Sequence, residues 1–225
     1  MGLNLKRKIA MTLLMLLTSS VQAGIVIGGT RVIYPAEKKA VSLTVMNAKT
    51  SGVYLVQSWV ESDISGRQSP FIVIPPLFRM GSGEENVLRL VFTGGTLPQD
   101  RESVFWLNVK SIPATDDSIP SENTLQMVVK SRLKLFYRPT GLSGTQEESW
   151  QQLQVSREGN NLVIANPGAY YVSFYSLNID GREYRDISMI PPKESIRLPV
   201  KTVSQVNWQA INDYGGITPV VHRQL

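Results

Sequence analysis

The chain has no cysteine and one histidine, His222, three residues from its end. Without cysteine there is no thiol nucleophile, no thiolate metal site and no disulfide framework. With only His222, so near the end, neither a histidine-rich zinc site nor a histidine-based triad is expected. Carboxylate-only hydrolysis remains formally open, but Asp116 and Asp117 are simply adjacent loop acids. Gly28-Gly29 and Gly94-Gly95 lack the lysine of a phosphate loop and read as turns. The expectation is a protein that is not an enzyme and uses neither cofactor nor metal.

Long apolar runs are also missing. Ile9 to Leu17 is broken only by Thr12 and would make roughly 14 Å of helix, about half a bilayer core. It follows a positive cluster, Lys6, Arg7 and Lys8, and precedes Val21 and Ala23, the small-residue pattern of a signal-peptidase cut. Residues 1–23 are expected to be a cleavable signal peptide, with a soluble exported chain starting at Gly24 and no membrane insertion. The whole chain carries 23 basic and 18 acidic residues; losing the three basic residues of the signal leaves 20 against 18. A nucleic-acid partner is not expected from so even a balance.

What the sequence does have is short runs rich in Val, Ile, Thr, Phe and Tyr, punctuated by Gly, Pro, Asn and Asp. The first series predicts strands over 25–27, 30–34, 40–47, 53–61, 71–74, 78–80, 86–92, 102–111 and 124–137. A Pro/Gly/Ser-rich stretch follows. The second series predicts strands over 153–157, 161–165, 170–179, 182–188, 195–199, 205–211 and 218–222, after a helical turn within 146–153. Asp180-Gly181 is the strongest hairpin signal. The fold class is all-β: an immunoglobulin-like sandwich over 24–138, a linker over 139–144 and a second, smaller β-sandwich over 145–225.

The predicted strand 124–137 exceeds twice the usual length. Leu125, Met127, Val129, Leu133 and Leu135 share one face; Lys130, Arg132, Lys134 and Phe136 share the other. Two readings fit the first three apolar residues. They face the core of their own sandwich, or they lie on an edge that pairs with a strand of another protein. Alternation alone does not separate these.

The strand ends in Lys134-Leu135-Phe136-Tyr137-Arg138-Pro139, which resembles the signature of the PapD-like periplasmic pilus chaperones. Other segments match in family order. They are Thr30-Arg31-Val32-Ile33-Tyr34-Pro35, Tyr54 to Val60, Phe71 to Phe78, Leu97 to Ser103, and Ile211-Asn212-Asp213-Tyr214-Gly215-Gly216. The resemblance covers residues 24–220 and is nearest to type 1 pilus chaperones. The short polar connection over 112–123, without cysteines, is similar to the family's short-loop branch.

The resemblance implies two immunoglobulin-like domains in a boomerang arrangement. Arg31 and Lys134 would bind the terminal carboxylate of a pilus subunit, and Leu125, Met127 and Val129 would be donated as a strand to the subunit's groove. Glu102, Arg138 and Asp213 would form an interdomain salt bridge. Partners would be pilins, including a tip adhesin, and an outer-membrane usher; self-association through the edge strand is a further family property. Localisation would be periplasmic. The alternatives are a structural or adhesive two-domain surface protein and an exported enzyme or sugar-binding module.

Overall fold

A computed structural model describes residues 24–49, 52–63, 67–115 and 126–225. Its first half is a sandwich of two sheets. One sheet has the order β1 (Ile25–Ile27), β3 (Val41–Asn47), β7 (Glu85–Phe92), β5 (Phe71–Ile74). The other has the order β2 (Arg31–Pro35), β9 (Val129–Arg138), β8 (Ser103–Pro113), β4 (Tyr54–Ser62), β6 (Leu77–Met80). Alternation turns one row of each strand inward. Leu43, Val45, Leu88, Leu90 and Phe71 meet Val32, Tyr34, Val56, Leu107, Leu133 and Leu135 in one core.

The second half builds its own core around Trp208, with Leu162, Ile164, Leu177, Ile179 and Val206. A three-stranded sheet, β10 (Gln154–Glu158), β11 (Asn161–Ala165), β15 (Ser195–Leu198), lies across from a second sheet. That sheet runs β13 (Arg182–Glu183), β12 (Val172–Ile179), β16 (Gln205–Ala210), β17 (Val221–Gln224), with β14 (Met189–Ile190) also paired to β12. The helical turn α1 (Gln146–Ser149) is capped by Thr145, whose side chain accepts from the Glu148 backbone N–H. At the β12–β13 hairpin Asp180 and Gly181 have φ of 47° and 83°, the left-handed pair that a two-residue turn requires.

Three strand expectations change. Of the strand expected over 182–188 only β13, Arg182–Glu183, forms, and β14 follows separately at Met189–Ile190. The last strand lies at Val221–Gln224, later than 218–222. The strand expected over 124–137 begins its ladder only at Val129. Ser111 pairs with Val129, so two residues further on Pro113 would face Met127. Proline has no N–H to give to that rung. Its carbonyl instead accepts from Gln126 Nε2 at 2.7 Å. Leu125 lies outside the described residues.

The second core hangs on one side chain. Trp208 is fully buried and its Nε1 donates to the Trp150 carbonyl at 2.8 Å. Trp208→Ala is expected to cost about 3–5 kcal/mol from the cavity and lost burial, read as a lower midpoint in chemical denaturation.

Candidate functional site

The site grows from one pairing. β2 runs parallel to β9 with Arg31 opposite Lys134, Ile33 opposite Phe136 and Pro35 opposite Arg138. Registered neighbours in a sheet point to the same face, so Arg31 and Lys134 stand side by side. Val32 and Tyr34 point the other way, into the core. The face carrying Lys134, Phe136 and Arg138 is the one covered by the second half of the chain. Phe136 is buried there with its ring 5.5 Å from that of Tyr171.

Both cations reach across the junction. Arg31 Nη1 donates to the Ile211 carbonyl at 2.9 Å. Lys134 Nζ donates to Ser173 Oγ at 3.1 Å and to the Ser188 carbonyl at 3.4 Å. Arg31 Nε is buried with no hydrogen-bond partner. Burial lowers the Arg31 pKa, while the charges of Asp213 and Glu102 oppose that shift. Lys134 is brought down to about 8, first by desolvation and then by the neighbouring Arg31 charge. Two half-buried cations thus share one spot and have only neutral acceptors as hydrogen-bond partners.

At the far end of the same face, Arg138 joins two acids. Its Nε donates to Glu102 Oε1 at 2.7 Å, and its two terminal nitrogens donate to the Asp213 carboxylate at 2.7 and 2.9 Å. Glu102 precedes β8 and is almost wholly buried; Asp213 follows β16 in the second half. The other Glu102 oxygen accepts from the Tyr171 N–H at 2.8 Å, and its own N–H donates to the Ala169 carbonyl at 2.9 Å. Burial pushes the Glu102 carboxyl up, and the Arg138 charge works against that shift. For Arg138, desolvation lowers the pKa, but the Asp213 and Glu102 interactions outweigh it and raise it. The structure therefore brings Glu102, Arg138 and Asp213 together across the junction.

The apolar residues ahead of β9 are open to solvent. Met127 is 72% exposed and Val129 54%. Of the two readings of their alternation, the one that turns them into their own core does not hold for this pair. The core on β9 starts at Leu133. The strand simply outruns the sheet that faces it. β2 covers the β9 edge only from Lys134 to Arg138. From Val129 to Leu133, β9 has β8 on one side and, among the described residues, no strand on the other.

Several contributors carry no mark in the sequence. Ser173, Ser188 and the Ile211 carbonyl are ordinary strand or loop residues until the junction closes on them. A further bridge, Lys193 Nζ to Asp100 Oδ2 at 2.6 Å, also joins the halves. His222 lies in β17, its Nδ1 2.7 Å from Asn207 Oδ1. Among the described residues no group of His, Cys, Asp and Glu could hold a metal ion, and no helix is long and apolar enough to cross a membrane. A cavity of about 720 Å³ opens on the Tyr171 side of the junction, but neither Arg31 nor Lys134 lines it.

Removing Arg138 would leave Glu102 buried without its partner. Arg138→Ala is expected to destabilise the protein by about 3–5 kcal/mol in a denaturant titration. Small-angle scattering on the folded fraction should show a wider spread of inter-sandwich geometries than in the wild type.

Two family models match the chain. One, described as pili and flagellar-assembly chaperone, PapD N-terminal domain, covers residues 24–143. The other, described as pili assembly chaperone PapD, C-terminal domain, covers residues 148–222. The chain is 43% identical over 211 residues to chaperone protein LpfB of Salmonella typhimurium, covering 92% of this chain and 91% of that one. It is 42% identical over 214 residues to chaperone protein FimC of Escherichia coli K12, covering 94% and 88%. Among solved structures, a chain of the Salmonella enterica SafA pilin–SafB chaperone complex matches with a TM-score of 0.80 at 31% identity, covering 92% of this chain and 99% of that one. The E. coli chaperone DraB matches with a TM-score of 0.78 at 35% identity, covering 89% and 98%.

Proposed function

We propose a function in pilus assembly from one premise: the chain belongs to the PapD-like family of pilus-assembly chaperones. Chaperones of this family are periplasmic. In this reading residues 1–23 are a signal peptide that is cut off on export. The domain from 24 to 138, the linker 139–144 and the domain 145–225 form the working protein. It performs no catalysis. It binds a pilus subunit, completes the subunit's fold with its own strand, and hands the subunit to an outer-membrane usher.

The observation that carries this reading is the registered pair Arg31 and Lys134 at the end of an open strand edge. β2 fills the edge of β9 from Lys134 onward, so the vacant stretch beside Val129 to Leu133 is collinear with β2. A guest strand lying there runs its end up against Arg31. Two half-buried cations select a carboxylate over an amine at that end, so the guest's last residue arrives first and its chain runs parallel to β9. The carboxylate would also give the orphaned Arg31 Nε a partner, and an unmade buried bond costs about 1–3 kcal/mol. Exposed Met127 and Val129 then stand on the face that enters the subunit's groove; Leu125, outside the described residues, would be donated with them. Each large apolar side chain buried there contributes roughly 1.5–3 kcal/mol. The Glu102–Arg138–Asp213 bridge holds the second domain against the anchor. The reading as a surface adhesin finds no comparable support, because an adhesin has no use for an empty cationic strand end.

The test is co-purification from the periplasm with the pilin of the same gene cluster. Wild type is expected to yield a one-to-one complex; Arg31→Ala and Lys134→Ala should stay folded and lose it. Equal recovery from all three would remove the anchor.

The anchor also predicts a pH dependence. A carboxylate raises the Lys134 pKa above its free value of about 8, so binding takes up a proton once that ammonium has titrated. Affinity should be full below pH 8 and fall by about tenfold per unit above it, until the bound ammonium itself titrates. Isothermal titration from pH 7 to 9 would read this, and Lys134→Arg should flatten the profile over that range.

A further inference from the structure

Methionine carries all the sulfur of the chain, which has no cysteine. Outside the expected signal peptide the methionines are Met46, Met80, Met127 and Met189. The structure treats these four differently. Met80 ends β6 and is 1% exposed, in the first core. Met189 is half-buried in β14, opposite Ser173. Met46 is 41% exposed on the outer face of β3, between Val26 and Glu85. Met127 is 72% exposed, more than any other large apolar side chain described in the first domain.

That exposure has a structural cause. The β8–β9 ladder opens at Val129 because Pro113 cannot donate to a rung at Met127. The core on β9 begins only at Leu133. The Gln126 side chain ties the stretch to the Pro113 carbonyl and leaves the Met127 thioether in water. Of Leu125, Met127 and Val129, only Met127 has a side chain that a mild oxidant can alter. With hydrogen peroxide, a sulfur lone pair attacks one peroxide oxygen. The O–O bond breaks as the S–O bond forms, and proton transfer releases the other oxygen as water. Sulfur loses the two electrons that the peroxide gains. The product, a sulfoxide, is polar and accepts hydrogen bonds strongly. A methionine sulfoxide reductase returns it to the thioether with two electrons and two protons, releasing water.

We infer that Met127 is a reversible oxidation site through which peroxide controls donation of the strand. The inference rests on the strand-donating function proposed above. Burying an apolar side chain at this position favours the complex, whereas burying a sulfoxide oxygen in an apolar groove opposes it. Oxidation and subunit binding therefore exclude one another. The free protein presents the sulfur to solvent, and a bound subunit covers it. Peroxide then halts the capture of new subunits and spares complexes already formed. Arg31 and Lys134 are chemically untouched, so reduction of the sulfoxide restores the whole site.

The experiment exposes the free protein and its pilin complex to hydrogen peroxide, quenches with catalase and locates sulfoxides by peptide mass spectrometry. Each treated protein then competes with its own isotope-labelled, untreated form for pilin diluted from denaturant. In the free protein Met127 is expected to oxidise first and Met80 last; in the complex Met127 should be protected. Treated wild type should lose the competition by roughly 10- to 100-fold and recover after reductase treatment. Treated Met127→Leu should match untreated Met127→Leu, whatever its starting affinity. Oxidation of Met127 no faster than that of Met80 overturns the site, as does equal competition by the Met127-oxidised protein. An equal loss in treated Met127→Leu places the damage elsewhere and overturns it too. Lys134→Ala, competing against wild type, separates the two levels. If it loses while the oxidised protein does not, the inference falls and the anchor stands. If both compete evenly, the proposed function falls with it.

Discussion

The parallel ladder between β2 and β9 sets everything else at the site. It aligns Arg31 with Lys134, and it stops there. It stops because the chain before Arg31 leaves this sheet. Through Gly28 and Gly29 it crosses to the opposite sheet, where β1 pairs with β3. The Gly28 N–H donates to the Thr44 carbonyl at 2.8 Å and holds that crossing in place. Had residues 25–30 continued straight, they would have covered the β9 edge back towards Val129, and no slot would exist. Among the described residues, the switch of one strand between sheets thus leaves the Val129–Leu133 edge without a neighbour and puts two cations at its closed end.

The ladder also imposes a cost. Arg31 and Lys134 are like charges, half removed from water, with only neutral oxygen atoms as hydrogen-bond partners. The lowered pKa of Lys134 reflects that penalty. Elsewhere on the same face the molecule satisfies its charges fully: Arg138 makes three bonds to two acids. A buried ion cluster of that kind adds little net stability compared with apolar packing, but it fixes orientation, because each member is penalised when its partner moves. One end of the face is therefore locked and the other is left short of an anion. The locked end keeps Ser173 and Ile211 where they can hold the waiting cations.

Much of the fold was legible from alternation and turn chemistry, which are local. The strands of the first series fall within a few residues of their predicted bounds, and Asp180-Gly181 forms the hairpin its residues favour. The ladder start at Val129 was less legible, because it depends on Pro113, a residue of another strand, failing to donate. The exposure of Met127 and Val129 was ambiguous for a related reason. Alternation assigns a face, and only the length of the opposing sheet decides whether that face is covered. The Arg31–Lys134 register is non-local, so periodicity could not supply it; the motif resemblance drew attention to the two residues without their geometry. Ser173 and the Ile211 carbonyl left no trace at all, since a serine or a backbone oxygen becomes an acceptor only when two domains close around a cation.

A short open edge poses a problem of discrimination. Backbone hydrogen bonds along Val129 to Leu133 are available to any extended chain, and an unguarded edge invites unwanted pairing. Lys130 and Arg132 discourage it on the outer face, held over the Trp59 and Trp106 rings and shared with Glu61. Those contacts are exposed and weak, so they do not choose a guest. Under the proposed function the choice falls to the closed end of the slot. A strand that slips by one residue inverts every side chain it presents. A strand whose carboxylate is caught at Arg31 and Lys134 has its register set before its side chains are tested. Interior segments of other proteins have no carboxylate to offer there, so in the proposed function the same two charges that penalise the empty protein would also exclude most of the chains able to pair with its edge.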